Sequence, residues 1–406
     1  MRKFLLVLAV LLLVLPVFIF AEGQQEVETP GVTDEKILVG FTMPMSGPIG
    51  FIGSLTADLT NAVFQKYNEE EGGIYGRKLE LIVYDSGMDA SQALANYRKL
   101  VLEDKVFCVI FGFGSFIRPA YPFFEEHHVP WLFPMAPPYD VMFPPRKYLF
   151  SLFPTTATQM KTEAKWIIDQ GKYKKIVCVY GDSASGKTGL EGLRRELEGS
   201  GIEIVAAEAL KEGSTSASVQ IAKIAKVDHD LVMIFGFTMQ PAAVAIKEIK
   251  KMGLDSDIMI NQPITNNTIL SMLEGVDVDG LYGSWWGALE YREDKPENSP
   301  QSMRNAAAVL DKYAPQVDKG QVEHSLSVEL FIEALKRAGK DLTREGLIEA
   351  METFDNYPTG KGSFVTYSKY RREGVAGGVM AQVQNGEWVA ISDWIDVKLD
   401  ESISYE

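Results

Sequence analysis

Residues 181–188 read GDSASGKT, a literal G-x-x-x-x-G-K-[ST] placed between the apolar run KKIVCVY and a helical pattern. The chemistry of that spacing is phosphate binding: the turn offers backbone N–H groups, Lys187 reaches a phosphate and Thr188 a Mg²⁺. The metal-holding partner is missing. The downstream run LVMIF ends on Gly236 rather than Asp, and the strand that does end on Asp, LELIVYD, lies far upstream. A glycine-tolerant strand-to-helix turn is the plainer reading. The four histidines (His127, His128, His229, His324) show no H-E-x-x-H spacing and no Cys close in sequence, so no metal site is expected. There is no G-x-S-x-G elbow, and no Ser, His and Asp stand out as a set. Neither catalysis nor a cofactor is expected. Cys108 and Cys178 sit in the apolar runs VFCVIF and KIVCVY and are expected to be buried free thiols in separate β-cores.

What remains is a recurrence of aromatic and small polar residues after strand-like runs. FGFGSF (Phe111–Phe116) and Met135–Ala136–Pro137 follow two of them, and FGFT (Phe235–Thr238) and NQP (Asn261–Pro263) follow two more. SWW (Ser284–Trp286) falls where the chain is expected to cross between lobes. One Phe at a strand end reads as core. Their repetition at the carboxyl ends of several strands, where open α/β sheets take ligands, reads as an aromatic and mostly apolar cleft.

The elements that position these residues begin with ILVGFTMPMSGPIGFIG. A strand (Ile37–Met43) stops at Ser46–Pro48, a helix runs from Gly53 to Gly72–Gly73, and a second strand, Leu79–Tyr84, ends on Asp85. Further strands are predicted at Val106–Phe111, Trp131–Phe133, Lys175–Tyr180, Glu203–Ala207, Leu231–Phe235, Ile258–Ile260 and Leu281–Gly283. Helical patterns between them, such as Ser91–Glu103 and Ser216–Lys226, imply parallel sheets with helices on both faces. The alternation breaks at PPYDVMFPPRK (Pro137–Lys147) and again at REDKPENSPQS. Helices at Ser325–Ala338 and Thr343–Phe354 follow, then short strands near Ser363–Tyr367, Val379–Gln384 and Trp388–Ile391. The chain thus forms two α/β lobes with more than one crossing between them, which makes a hinged clamp.

At 406 residues the chain is long enough for two cores, and its net charge of −15 argues against nucleic acid or an anionic membrane as partner. Arg2–Lys3, the charge-free run Phe4–Phe20 and Ala21 form a cleavable signal peptide over residues 1–21, the rival reading being an uncleaved anchor. No Cys follows that run, so a lipoprotein anchor is not expected. The acidic, apolar-poor residues 22–34 read as a flexible leader.

Taken together, VGFTMPMSGPIGFIG, GGIYGRKLELIVYDS, DASQALANYRKLVLEDKV, VPWLFP, YGDSASGKTGLEGLRREL and VELFIEALKRAGKDLTREGLIEAM resemble the type I periplasmic solute-binding proteins of ABC transporters, of the branched-chain amino acid-binding group. The resemblance covers nearly all of the mature chain. It implies two doubly wound α/β lobes joined by a multi-strand hinge, with lobe 1 at 35–150 plus 286–358 and lobe 2 at 151–285 plus 359–406. It also implies a periplasmic or secreted, monomeric receptor for a small solute that delivers it to an inner-membrane ABC permease. A ligand sensor with the same clamp is the alternative, and an exported nucleotide-binding enzyme using Gly181–Thr188 a further one.

Family binding residues transfer poorly. Amino acid binders in this resemblance hold the carboxylate with a Ser that falls at Phe116, beside Ser115, and a Thr that falls at Pro137 or Pro138. The acid that meets the ammonium falls at Gln262, and a Tyr near Ser185 is missing. An ammonium buried without its carboxylate loses several kcal/mol, about a thousandfold in affinity if the loss is about 4 kcal/mol. The resemblance therefore points to an amine-free carboxylate or similar solute. Ser46, Ser115, Thr238 and Gln262 are the expected oxygen-binding residues and Phe51, Phe113, Phe116 and Phe237 the apolar walls, with Ala136 and His324 completing the candidate set.

Overall fold

The computed structural model describes residues 29–405 apart from 48, 49, 263, 288–290, 292 and 294. The expected signal peptide, residues 22–28 of the leader and Pro48 of the first turn lie outside the described residues. Residues 29–34, expected to end the flexible leader, are instead part of the fold. Val32 bridges to Ile37, and the Gly31 carbonyl accepts the Leu38 N–H. Gly31 packs so closely that a Cβ there would come within 2.1 Å of the Phe107 nitrogen.

The first sheet is parallel, in the order β2-β1-β3-β4-β5: β1 Lys36–Met43, β2 Lys78–Asp85, β3 Cys108–Ile110, β4 Trp131–Leu132 and β5 Leu149–Phe150. Its inner strands read as unbroken apolar runs because helices cover both faces. Ile37, Val39, Phe41, Cys108 and Ile110 enter one core, while Leu38 and Val109 face the other. Helix α1, Gly50–Glu70, packs on the first of these cores. Helices α2, Ala90–Arg98, and α3, Gly114–Glu126, cover the second.

The sequence predicts a single helix over Ser91–Glu103, but α2 widens at Lys99 into a π-helical segment, Lys99–Glu103. The wider turn lets the adjacent Leu100 and Val101 both bury. Strand β5 was not anticipated. It follows the proline-rich break, within which one helical turn, α4 (Tyr139–Met142), also forms.

After a first crossing, helix α5, Thr156–Gln170, starts the second lobe on the capping hydroxyl of Thr155. The second sheet has the order β14-β13-β10-β9-β8-β6-β7. Strands β6 Lys175–Gly181, β7 Glu203–Leu210, β8 Leu231–Phe235, β9 Asp257–Ile260 and β10 Tyr282–Trp285 are mutually parallel. Helices α6 Ala184–Leu197, α7 Ser218–Ile224, α8 Met239–Lys251 and α9 Asn267–Met272 connect them.

The chain then returns to the first lobe, where α10 Gln301–Tyr313, α11 Ser325–Ala338 and α12 Arg344–Glu352 join the core behind β1. The strands β11 Tyr357–Pro358 and β12 Phe364–Val365 pair antiparallel, and Val365, Tyr367 and Val375 bury in the same core. The second lobe was expected to resume at residue 359. These contacts keep the chain with the first lobe until β13, Gly377–Gln384, which runs antiparallel to β10 and is followed by β14 Glu387–Ala390 and β15 Ile395–Asp396. The second sheet is therefore mixed, with an antiparallel edge. Cys108 and Cys178 are free and buried in different sheets. Among the described residues no helix is long and apolar enough to cross a membrane.

Candidate functional site

Parallel strands put all their carboxyl ends on one edge of a sheet, and in each lobe that edge carries the loops singled out by sequence. In the first lobe the loop after β1 is fixed by close approach. A Cβ at Gly53 would lie 2.1 Å from the Pro44 carbonyl oxygen, so α1 can begin here only with glycine at that point. Ser46 is exposed and bonds to Asp85 at the end of β2. The Met45 and Gly87 N–H groups donate to the same carboxylate at 2.7 and 2.8 Å. Partial burial works against the Asp85 charge, but these donors outweigh it and hold the carboxyl below its ordinary range.

Phe51, on the first turn of α1, is 53% exposed. Phe113 is half-buried, Ser115 and Ala136 are exposed, and the bridge between Phe113 and Met135 sets their loops side by side.

Two expected walls are core residues instead. Phe116, 3% exposed, lies with Ala120 and Phe124 on the inward stripe of α3. The i, i+4, i+8 spacing of these three residues puts them on one helical face. Phe237 packs with Ile221, Ile246 and Ile264 behind the second sheet. Thr238 is exposed, and its hydroxyl and N–H both donate to Glu212. Gln262, two residues beyond β9, is only 4% exposed.

The residues that sequence reasoning underrated lie where the lobes join. The Phe153 ring, from the first crossing, meets the Trp286 ring of the second crossing edge-on at 5.2 Å. Phe153 also lies 6.1 Å from the ring of His324, which stacks at 6.4 Å on Phe111 at the end of β3. His324 Nδ1 is 3.3 Å from the Thr56 hydroxyl on α1, so this expected residue does take a place at the junction. Lys361 stands 4.5 Å from the Trp286 ring. Four segments far apart in sequence thus meet in one aromatic cluster of the first core, with Phe111 and Trp286 buried and Phe153 and His324 half-buried.

Behind the second-lobe edge, Gln159 and Glu163, one turn apart on α5, reach neighbouring strands. Asn261 Nδ2 donates to Gln159 Oε1 at 2.6 Å, and the Ser284 hydroxyl donates to Glu163 Oε1 at 2.7 Å. Gly283 pairs with Ile260, so Ser284 and Asn261 lie side by side. The pitch of the helix, ~5.4 Å, nearly matches the strand spacing of ~4.8 Å, which lets both pairs form at once.

The side chains of the GDSASGKT turn are engaged within the turn itself. Its glycines serve packing: a Cβ at Gly181 would lie 2.0 Å from the Gly236 oxygen, and one at Gly186 would lie 2.1 Å from the Gly181 oxygen. The Gly186 N–H is taken by the Ser183 hydroxyl, and Lys187 pairs with Asp182 at 2.8 Å. Thr188 donates to its own helix, at the Ala184 and Ser185 carbonyls. Lys187→Ala is therefore expected to leave the melting temperature unchanged with or without Mg–ATP. An ATP-induced rise that vanishes in the variant would reinstate the phosphate reading. Among the described residues no group of His, Cys, Asp and Glu could hold a metal ion.

A family model described as periplasmic binding protein matches residues 36–387. The leucine-, isoleucine-, valine-, threonine- and alanine-binding protein of Pseudomonas aeruginosa is 23% identical over 238 residues, 59% of this chain and 63% of that protein. The match thus spans less than two thirds of that relative. The Leu/Ile/Val-binding protein of Escherichia coli is 23% identical over 247 residues, 61% of this chain and 66% of its own length. Among solved structures, a fatty acid ABC transporter substrate-binding protein from Thermomonospora curvata superposes with a TM-score of 0.77 at 22% identity, covering 91% of this chain and 95% of that one. A branched-chain amino acid transporter substrate-binding protein from Streptococcus pneumoniae, in complex with isoleucine, gives 0.73 at 18% identity over 89% of this chain and 100% of that one.

Proposed function

The chain belongs to the periplasmic binding protein family, and from that premise we propose that it is an extracytoplasmic receptor that closes two lobes on one small organic solute and presents it to an inner-membrane ABC permease. The observation that carries this reading is the pair of α/β sheets, each with exposed residues such as Phe51, Ser115 and Thr238 in the loops at the carboxyl ends of its strands. A solute held between the loops of the two sheets touches both lobes. Such a ligand favours closure by the contacts that only the closed state makes.

We infer that the solute is an amine-free carboxylate or a similarly amphipathic molecule. The exposed Phe51 and half-buried Phe113 in the strand-end loops favour an apolar body. Gln262, which meets the solute where amino acid binders in the resemblance carry an acid, is neutral. Two acids beside the strand-end loops are already engaged, Asp85 by the Met45 and Gly87 N–H groups and Glu212 by Thr238. The fold neighbour titled as fatty acid-binding agrees with this reading; the one in complex with isoleucine favours an amino acid.

A thermal-shift comparison separates them. Octanoate is expected to raise the melting temperature, and at about 100 times its dissociation constant it stabilises by about 2.7 kcal/mol. Leucine at the same concentration is expected to do nothing. A strong leucine shift with none from octanoate would overturn the ligand class. No shift from carboxylates, amides, polyols or amino acids would count against the receptor itself.

A further inference from the structure

Between α1, α10, α11 and the segment begun by β11 lies a cavity of about 300 Å³. All four elements belong to the first lobe. Among the described residues of the wall, none comes from the loops at the strand ends. Protein interiors hold few voids larger than a water molecule. This one reaches the size of a small ligand pocket, with room for about ten heavy atoms at ~30 Å³ for each water-sized group. Its wall has an apolar side. Met303 and Ala306 of α10, Val322 before α11, and Leu326, Leu330 and Ile332 of α11 line it and are buried.

Lys361, just after β11, brings a charge to the same wall. It is 3% exposed, and its ammonium stands over the Trp286 ring. A buried ammonium needs anionic or polar neighbours to offset its lost hydration. Its three N–H donors let it serve a ligand oxygen while keeping a protein neighbour. The other charges of the wall are engaged with one another near the surface. Lys66 pairs with Glu329 at 3.4 Å, and the Tyr67 hydroxyl donates to the same carboxylate at 2.6 Å. Lys336 pairs with Glu71 at 2.8 Å, and Glu333 with Arg337 at 2.9 Å. Both acids described in the wall are thus balanced by cations, and the buried Lys361 sets the sign of the charge that an occupant should carry.

We propose that this cavity is a second binding site, for a small carboxylate with an apolar body. The carboxylate oxygens meet Lys361, and the body packs on Met303, Leu326 and Leu330. A charge-assisted bond out of bulk water supplies orientation, and the apolar wall supplies contact area. One lobe alone builds the site, so it fills whatever the arrangement of the two lobes and whatever solute the strand-end loops take.

The test uses 4-iodobenzoate, a carboxylate on an apolar body whose iodine anomalous scattering locates. Crystals of the full chain, Lys361→Met and Ala306→Phe are grown with the probe, and each protein is titrated by calorimetry in solution. In the natural chain iodine is expected between α10 and α11. Lys361→Met loses the charge but keeps an apolar stem, and is expected to weaken this site about tenfold or more. Ala306→Phe fills the cavity and leaves Lys361 in place, and is expected to abolish the site. Iodine between the strand-end loops, where the solute is proposed to sit, is expected to be the same in all three proteins, which separates the two sites. Iodine confined to those loops, no iodine at all, or iodine in the cavity with no binding in solution would each overturn the proposal. So would natural affinity at this site in Lys361→Met. If Lys361→Met does not fold, Ala306→Phe decides: cavity iodine lost from a folded protein supports the site, and cavity iodine retained overturns it.

Discussion

Gln262→Glu is expected to exchange the receptor's ligand preference, giving measurable leucine binding and weakening octanoate about 30- to 150-fold. The position is 4% exposed and lies two residues beyond β9, so a charge placed there is held away from water. In the ligand-free protein burial pushes such a carboxyl toward its neutral form. A ligand ammonium reverses that, because a charge-assisted bond repays the desolvation only when both partners are present. A carboxylate ligand meets the opposite sign and loses about 2–3 kcal/mol, the range that sets the fold-change above. Calorimetric titration of both proteins with both ligands reads the exchange directly. Unchanged affinity for octanoate in the variant would show that Gln262 does not face the solute.

How far the sequence carries this picture depends on what each residue's surroundings are made of. Strands buried on both faces are unbroken apolar runs, so Leu231–Phe235 and the helix Ser325–Ala338 are found with the predicted bounds. The loops at their carboxyl ends were legible for the same reason. Phe116 was misplaced because its position after a strand was weighed above its helical phase with Ala120 and Phe124, which was also there to read. The aromatic cluster at the crossings was legible only in fragments. SWW was recognised as a crossing, but nothing local links Trp286 to Phe153, or either to His324, since their meeting depends on how two lobes fold back on each other.

Glu163→Gln is expected to make the protein more stable than the natural chain at pH 8 by on the order of 3 kcal/mol, with little difference at pH 5. The carboxyl is fully buried, and desolvation drives its pKa up to about 8 against the Ser284 hydrogen bond, which lowers it. Its second oxygen has no partner. A folded pKa above the unfolded value means that the native state keeps a proton the unfolded chain has already lost. Stability therefore falls as pH rises from about 4.5 to about 8, by at most about 1.4 kcal/mol per pH unit, and levels off above. Glu373, buried between the third crossing and the start of α5, has its pKa raised by burial to about 7 and adds a slope of the same sign over a narrower window. The variant should keep that part of the slope and lose the rest. Urea titrations of both proteins at pH 5, 7 and 8.5 measure the gap, and a gap that does not grow with pH would show that Glu163 is not held neutral. The consequence reaches the cleft because Glu163 and Gln159 bind α5 to the strand ends that carry Asn261 and Gln262. Ionising Glu163 places a charge one turn from Gln159, so on the proposed reading solute affinity should weaken over the same pH range in the natural chain and hold steadier in Glu163→Gln.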